Sequence, residues 1–384
     1  MSSEPNAVQD WLAAQEGAMI GLLKEVVNLD SGSYDKAGVD AVGERLERFF
    51  AEHGIPTRRQ PNADFGDAIL AGVAGSGGAN RPIVLMGHRD TVFPKGEVAK
   101  RPFRIEGRRA YGPGVADMKA GLVMNAFVAA AFHRAGGAPG PLTVLITSDE
   151  EIGSPACRSV IEATARDARA VFNSEPGRPT GNVVTSRKGG VFMECDVVGR
   201  AAHSGGNFEA GISAINEVAH KIVALSGITD LKRGITLNVG LVSGGQSVNT
   251  VAPWAKIGID LRYVEPPQRA EAMARIEAIV AGSTVEGTSA TLTIKGEFLP
   301  LTQDEASRQI FEVYGEAMRS VGRPVEGEFS GGCADSGFTA AVGCPTVCAV
   351  GPVGGKAHSP DEYLELDSTV PRAQGLALAI ARLA

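Results

Sequence analysis

The sequence predicts an α/β protein: a mostly parallel sheet with helices on both faces, interrupted by a smaller two-layer α+β segment. Three observations predict it. Strand-forming and helix-forming stretches alternate to about residue 184, the pattern of βα units feeding a parallel sheet. At Arg187-Lys188-Gly189-Gly190 the character changes, and up to about Gly296 the order becomes strand, helix, strand, strand, helix, strand. That order is a split β-α-β pair of the ferredoxin-like kind. Beyond it the first pattern returns. A chain of 384 residues also exceeds what one hydrophobic core usually serves. The economical division assigns residues 1–187 and 297–384 to one domain and 188–296 to an insertion.

Taken in order, residues 8–28 read as an amphipathic helix, because Trp11, Leu12, Met19, Leu22, Leu23 and Val26 recur at helical spacing. Residues 39–53 form a second helix, with Gly54 placed to end it. Residues 82–86, 142–147 and 169–172 are apolar strands, and the Ala-rich run 119–135 is a buried helix. In the insertion, 191–198, 236–242, 256–263 and 290–294 read as strands, and 210–225 and 266–280 as helices. A helix over 305–321 and a strand over 345–350 complete the first domain.

Four of the apolar strands run into metal-binding side chains. Residues 82–86 lead to Gly87-His88-Arg89-Asp90, and 142–147 to Asp149-Glu150-Glu151. Residues 169–172 lead to Asn173-Ser174-Glu175-Pro176, and 345–350 open a Gly-rich loop carrying His358. Ligands of open α/β sheets gather outside the carboxyl ends of the strands, so four such ends point to one shared site. With Asp117, in Gly112-Pro113-Gly114-Val115-Ala116-Asp117-Met118-Lys119, the inventory suits two divalent ions such as zinc. Metal-assisted hydrolysis is the chemistry expected of it.

Each residue also has a plainer explanation. His88 and Asp90, two apart in extended chain, share a face, so Asp90 can fix the tautomer of a ligating His88. A surface turn with a chance pair fits as well. Asp117 reads as a helix N-cap, worth typically ~1 kcal/mol, or as a metal ligand. Asp149-Glu150-Glu151 reads as a solvated turn, or as Glu151 on metal with Glu150 left as general base beside it. Glu175 reads as a surface ion-pair partner, or as a ligand pinned by Pro176 and Gly177. Of the six histidines, His53, His133 and His220 fall in helical segments, whereas His88, His203 and His358 fall in Gly/Ser-bearing loops. The loop set is the functional one.

Composition excludes several classes. A net charge of −7, with no basic run longer than two residues, argues against nucleic-acid and anionic-membrane partners. The motif opening at Gly112 begins like a dinucleotide fingerprint, but Asp117 replaces its third glycine and would repel a pyrophosphate. Residues 1–6 have no positive region and no apolar core, and no apolar stretch is expected to reach the length of a membrane span. The five cysteines are odd in number and form no CxxC pair, so a cytoplasmic setting is expected. Cys333, in Gly331-Gly332-Cys333-Ala334-Asp335, lies near the site or serves as a small buried hydrophobe.

The order Gly87-His88-Arg89-Asp90-Thr91-Val92, residues 112–121, Asp149-Glu150-Glu151-Ile152-Gly153, Ser174-Glu175-Pro176 and His358-Ser359-Pro360-Asp361-Glu362 resembles the aminoacylase and glutamate carboxypeptidase family of co-catalytic dizinc exopeptidases. The likeness runs from about residue 80 to the C-terminus, and five motifs in order make it specific. It implies a dizinc exopeptidase catalytic domain with an inserted lid and dimerisation domain. It further implies two zinc ions per subunit, with Mn or Co as substitutes: Asp117 bridges them, His88 and Glu175 complete one, and Glu151 and His358 the other. By the same resemblance Asp90 orients His88, and Glu150 is general base and acid. His203 would reach the partner subunit's site in a homodimer to stabilise the oxyanion. Asn249, Arg262 and the Gly331-Gly332 turn would hold the carboxylate end of a small substrate, with Lys188 assisting as a point charge.

The resemblance leaves two enzymatic outcomes, a carboxypeptidase-type hydrolase and an aminoacylase or other amidohydrolase. A non-catalytic metal-dependent peptide binder is the third outcome, and retention of Glu150 argues against it. One departure from the glutamate-releasing pattern stands out. Glu297, in Lys295-Gly296-Glu297-Phe298, is expected to put the wrong charge near a second substrate carboxylate.

Overall fold

The computed structural model describes residues 4–383. They divide into two compact units: the chain up to Ser186 with Leu301–Ser330 and the chain from Ala334, and Arg187–Pro300 with Gly331–Cys333.

The first unit is built on an eight-stranded sheet. Its four central strands, in the order Leu142–Thr147, Ile83–His88, Ala170–Asn173 and Thr346–Cys348, run parallel. Antiparallel strands, among them Thr57–Gln60 and Ala68–Val73, flank them. Ile83–His88 is buried along its whole length, as expected of a parallel strand covered on both faces. The helix Ala120–Arg134 packs across the sheet, and Gly121 permits the contact: a Cβ there would lie 2.0 Å from the Ser174 carbonyl oxygen.

The N-terminal run forms two helices, Glu4–Ala13 and Glu16–Val27, where the apolar spacing predicted one. Trp11 stacks on Phe127, and Phe49 from helix Lys36–Glu52 joins them at 4.7 Å. Another expectation is corrected here. Val115–Arg134, 20 residues, is long and apolar enough to cross a membrane. Nearly all of it is buried inside the fold, and its regular part, Ala120–Arg134, serves as a core helix.

Four short strands that the sequence did not announce, Gly354–Gly355, Tyr363–Glu365, Arg109–Tyr111 and Arg104–Glu106, make a small antiparallel sheet. It matters to the site because the Asp117 turn leaves one of its strands and the His358 loop joins two others.

In the second unit the strands lie in the order Thr236–Gly244, Trp254–Tyr263, Gly189–Val198, Ser289–Phe298, all antiparallel, which is ferredoxin-like topology. Helices Ala214–Ser226 and Pro266–Ala281 cover one face. Val191, Met193, Cys195 and Val197 alternate into that core with Ile257, Ile259, Leu261 and Tyr263. The last strand is longer than predicted and carries a bulge between Ile294 and Gly296.

Candidate metal centre and active site

The centre of the site is Asp117, on the irregular turn Val115–Lys119. Its φ of −108° and ψ of 93° are not helical, and the following helix starts only at Ala120 with Lys119 before it. Asp117 therefore does not cap that helix. Its two carboxylate oxygens face two different imidazoles: Oδ1 lies 3.3 Å from His88 Nε2, and Oδ2 lies 3.3 Å from His358 Nε2. Glu151 Oε2 is 3.1 Å from His358 Nε2, while Glu175 Oε1 and Glu150 Oε2 are 3.7 and 3.9 Å from His88 Nε2. His88, Asp117 and Glu151 can each offer one atom within 4.8 Å of one another, and so can His88, Glu150 and Glu175. His358 sits at φ +62°, a left-handed conformation uncommon for a residue with a side chain.

Distant carboxylates hold these groups in place. Asp90 is fully buried, and His88 Nδ1 approaches its Oδ1 at 3.3 Å and its carbonyl oxygen at 3.0 Å. The same carboxylate accepts from the Glu150 and Glu151 amides, both at 3.1 Å, and from Ser33 Oγ at 2.7 Å. Glu362, also fully buried, accepts from the amides of Gly114, Ala116 and Asp117 at 3.1, 2.9 and 3.0 Å. Asp335 accepts from Thr147 Oγ1 at 3.2 Å and from Ser154 Oγ, at the two ends of the loop that bears Glu150 and Glu151. Arg89 rivets the carboxyl ends of two central strands, donating to the Ile146 and Thr147 carbonyls at 3.3 and 3.2 Å. Asp149, by contrast, turns away and accepts from the Ala156 and Cys157 amides.

Ser33, Glu362 and Asp335 were not singled out from the sequence. Glu362 stood within a quoted motif, and its signal was an acid four residues beyond His358.

The electrostatics follow from crowding acids in a dry place. Burial pushes the Glu150 carboxyl well above its ordinary range, with Glu175, Asp335 and Glu151 adding to the shift against the pull of His88. Burial would also raise Asp117, but hydrogen bonds from His358 and His88 hold it well below the usual carboxylate range. Hydrogen bonds to Asp117 and Glu151 push His358 up to about 10. Burial pushes Asp335 and Glu362 up to about 7 each. Both imidazoles are thus drawn toward the charged form by a field that would equally draw divalent cations. Asp117 Oδ1 is buried, with His88 Nε2 near it at 3.3 Å but no well-formed hydrogen bond to it. Two imidazoles and several carboxylates form a nitrogen–oxygen donor set that fits zinc.

The remaining candidates belong to the second unit. His203 Nδ1 accepts from the Gly205 and Gly206 amides, both at 3.1 Å, which leaves the neutral ring's proton on Nε2. His203 pairs with Thr250, and Ser204 N donates to the Asn249 carbonyl, so the His203 and Asn249 loops lie side by side. Arg262 Nε donates to Asp260 Oδ1, and its Nη1 to Cys333 Sγ, each at 2.7 Å. Cys333 is therefore more than a buried hydrophobe: it is half-buried and engaged by Arg262. Arg187 Nη1 donates to the Gly332 carbonyl at 3.2 Å, and Gly331 and Gly332 are exposed. Lys188 is half-buried between two strands.

The expectation for Glu297 is overturned. The bulge shifts the register so that Glu297 pairs with Val191 on the helix-covered face, where it meets Arg269. Arg262 pairs with Gly190 on the opposite face, so Glu297 does not place its charge beside Arg262.

Known proteins resemble this chain over most of its length. Residues 84–382 match the model of peptidase family M20/M25/M40. Carboxypeptidase G2 of Pseudomonas sp. (strain RS-16) is 29% identical over 367 residues, covering 93% of this chain and 87% of that protein. Acetylornithine deacetylase of Edwardsiella ictaluri (strain 93-146) is 25% identical over 387 residues, covering 92% and 94%. Among solved structures, the M20 family metallo-carboxypeptidase Sso-CP2 from Sulfolobus solfataricus superposes with a TM-score of 0.77 at 18% identity, covering 95% of this chain and 99% of that one. That last likeness concerns the fold.

Proposed function

The chain belongs to peptidase family M20/M25/M40, and on that premise we propose a dinuclear zinc hydrolase that cleaves a peptide or N-acyl amide bond beside a free carboxylate. The observation that carries the reading is Asp117, whose two oxygens each face a different imidazole at 3.3 Å. Asp117 would bridge two metals, with His88 and Glu175 on one and Glu151 and His358 on the other. Mn or Co would substitute for zinc. Bound zinc would polarise the scissile carbonyl and lower the pKa of water to about 7.

The chain's own groups supply the rest. Glu150 takes a proton from the attacking water and returns it to the leaving amine, a transfer suited to a carboxyl that burial has raised. Asp90 fixes the His88 ring so that Nε2 faces the ligand side. His203, with its proton on Nε2, donates to the oxyanion of the partner subunit's site. Arg262 and Asn249 hold the substrate carboxylate, with Gly331, Gly332 and Lys188 beside them. The second unit would act as lid and dimerisation domain of a cytoplasmic homodimer.

The test is a hydrolysis screen of the zinc-loaded protein against N-acyl amino acids, dipeptides and folate-like glutamates. Turnover of at least one class, with close to two zinc equivalents per chain after dialysis, is expected. Folded protein that reproducibly retains no zinc would overturn the assignment.

A further inference from the structure

Arg262 lies on the face of the four-stranded sheet that the helices leave open. Opposed residues in an antiparallel pair share a face. Gly190 and Phe192 therefore stand on that face with Arg262 and Asp260, and Glu194 and Asp196 with Gly258 and Lys256. The guanidinium is fixed on three sides, by Asp260, by Cys333 Sγ and by the Phe192 ring, whose centroid lies 4.9 Å from its central carbon. Gly190 makes room for this: a Cβ there would lie 2.8 Å from Cys333 Sγ and 3.3 Å from Arg262 Cδ. The half-buried Phe192 side chain stands edge-on to the buried Phe298, at 6.2 Å and 88°.

Most of the charge on this face is already paired. Asp260 pairs with Arg262, and Glu194 and Asp196 flank Lys256 at 2.8 and 3.1 Å. Arg262 and Lys256 are thus engaged by three carboxylates, whereas Lys188, just before strand Gly189–Val198, has no such pair among the described residues. One substrate carboxylate can share the preorganised Arg262 fork. A second would meet three carboxylates and, Lys188 apart, only cations that acids already engage, and a charge placed without a partner is costly to desolvate. An apolar side chain would instead meet an aromatic surface.

We propose that the residue bearing the anchored carboxylate is apolar, with aromatic side chains favoured over small ones, and that Phe192 sets this preference. The proposal rests on Arg262 as the carboxylate anchor. It is tested with the zinc-loaded full-length protein and a series of N-acyl amino acids that release phenylalanine, leucine, alanine, glutamate or lysine. The kcat/KM for phenylalanine should exceed that for alanine by roughly 10-fold or more, the discrimination an apolar pocket supplies, and glutamate should rank below leucine. Phe192→Ala should bring the phenylalanine-to-alanine ratio close to one, mainly through KM, while Phe192→Leu keeps part of it.

Glutamate or lysine equalling phenylalanine would overturn the proposal and leave the hydrolase assignment standing. An unchanged ratio in folded Phe192→Ala or Phe192→Leu would also overturn it. If Arg262→Ala leaves KM unchanged across the series, the anchor itself is wrong and the proposal falls with it. If metal-loaded protein hydrolyses nothing in the series but cleaves dipeptides or folate-like glutamates, the proposal falls and the hydrolase reading stands; if it cleaves none of the three classes, both fail.

Discussion

Asp90 makes three kinds of contact with one side chain. It faces His88, it accepts from Ser33, and it ties down the amides of Glu150 and Glu151. Glu150 makes no comparable structural contact, so the two residues should fail differently. Glu150→Gln keeps the shape but cannot take a proton, and kcat should fall at least ~100-fold with metal content preserved. Asp90→Asn weakens the hold on a ligand and on the loop at once, so metal affinity should drop by about 10–100-fold along with turnover. Parallel measurement of kcat and bound zinc separates the two, and equal zinc loss in both variants would refute the division. Glu362→Gln belongs with Asp90: with a single acceptor oxygen for three amides, the Asp117 turn should loosen and zinc affinity fall by about 10-fold or more. The proposed ligands were legible because His88, Glu151 and Glu175 follow apolar strands, and Asp117 and His358 lie in Gly-bearing loops. Glu362, Ser33 and Asp335 were not, because each acts on a group far away in the chain: Glu362 on backbone amides, Asp335 on hydroxyls and Ser33 on the Asp90 carboxylate. Asp149 shows the converse, an acid in the right tripeptide that hydrogen bonds turn elsewhere.

At the scale of elements, periodicity located most helices and strands, and two local events defeated it. Strands of two or three residues are too short to show alternation, so the small sheet joining the Asp117 and His358 loops stayed hidden. A single extra residue at the bulge before Gly296 reversed the side on which Glu297 points. The second unit has its own internal fastening in Glu217 and Lys221, both nearly fully buried and 2.8 Å apart. Lys221 also donates to the carbonyls of Ile279, Val280 and Gly282 at the end of one helix, and Glu217 accepts from the Thr284 and Val285 amides beyond it. Lys221→Met strands the Glu217 charge and those carbonyls, which should cost about 3 kcal/mol or more in chemical denaturation. Burial raises the Glu217 pKa, but Lys221 and the two amides outweigh it and the net shift is downward. A carboxyl depressed in the folded state stabilises above its unfolded pKa and loses that contribution as pH falls through the folded value. The wild-type should therefore lose stability below about pH 4.5 more steeply than a Glu217→Gln variant, and identical acid profiles would show that the pair contributes nothing there.

At the scale of the whole molecule, the decisive question is which chain each histidine serves. His88 and His358 belong to the first unit with the other ligand candidates, whereas His203 belongs to the second. The second unit also carries an edge strand, Thr236–Gly244, with Leu241 and Val242 exposed, and a helix with Ile215 and Val223 exposed. Exposed apolar side chains beside an unpaired strand edge form a surface that a second copy of the chain can cover. With both His203 ring nitrogens accounted for, Nδ1 by two amides and Nε2 by the proton, an oxyanion is the partner Nε2 is suited to. Removing such a donor costs on the order of 3 kcal/mol, so His203→Ala should lose roughly 100-fold or more in kcat. Mixing this variant with Glu150→Gln and allowing subunits to exchange distinguishes the two arrangements. In a two-fold dimer with crossed histidines, each mixed dimer holds one site with an intact Glu150 and a donated His203. Random exchange of equal amounts should then restore about a quarter of wild-type activity. If the mixture stays as inactive as its parents while exchange is demonstrated by mass, His203 serves its own chain and the crossed arrangement is wrong.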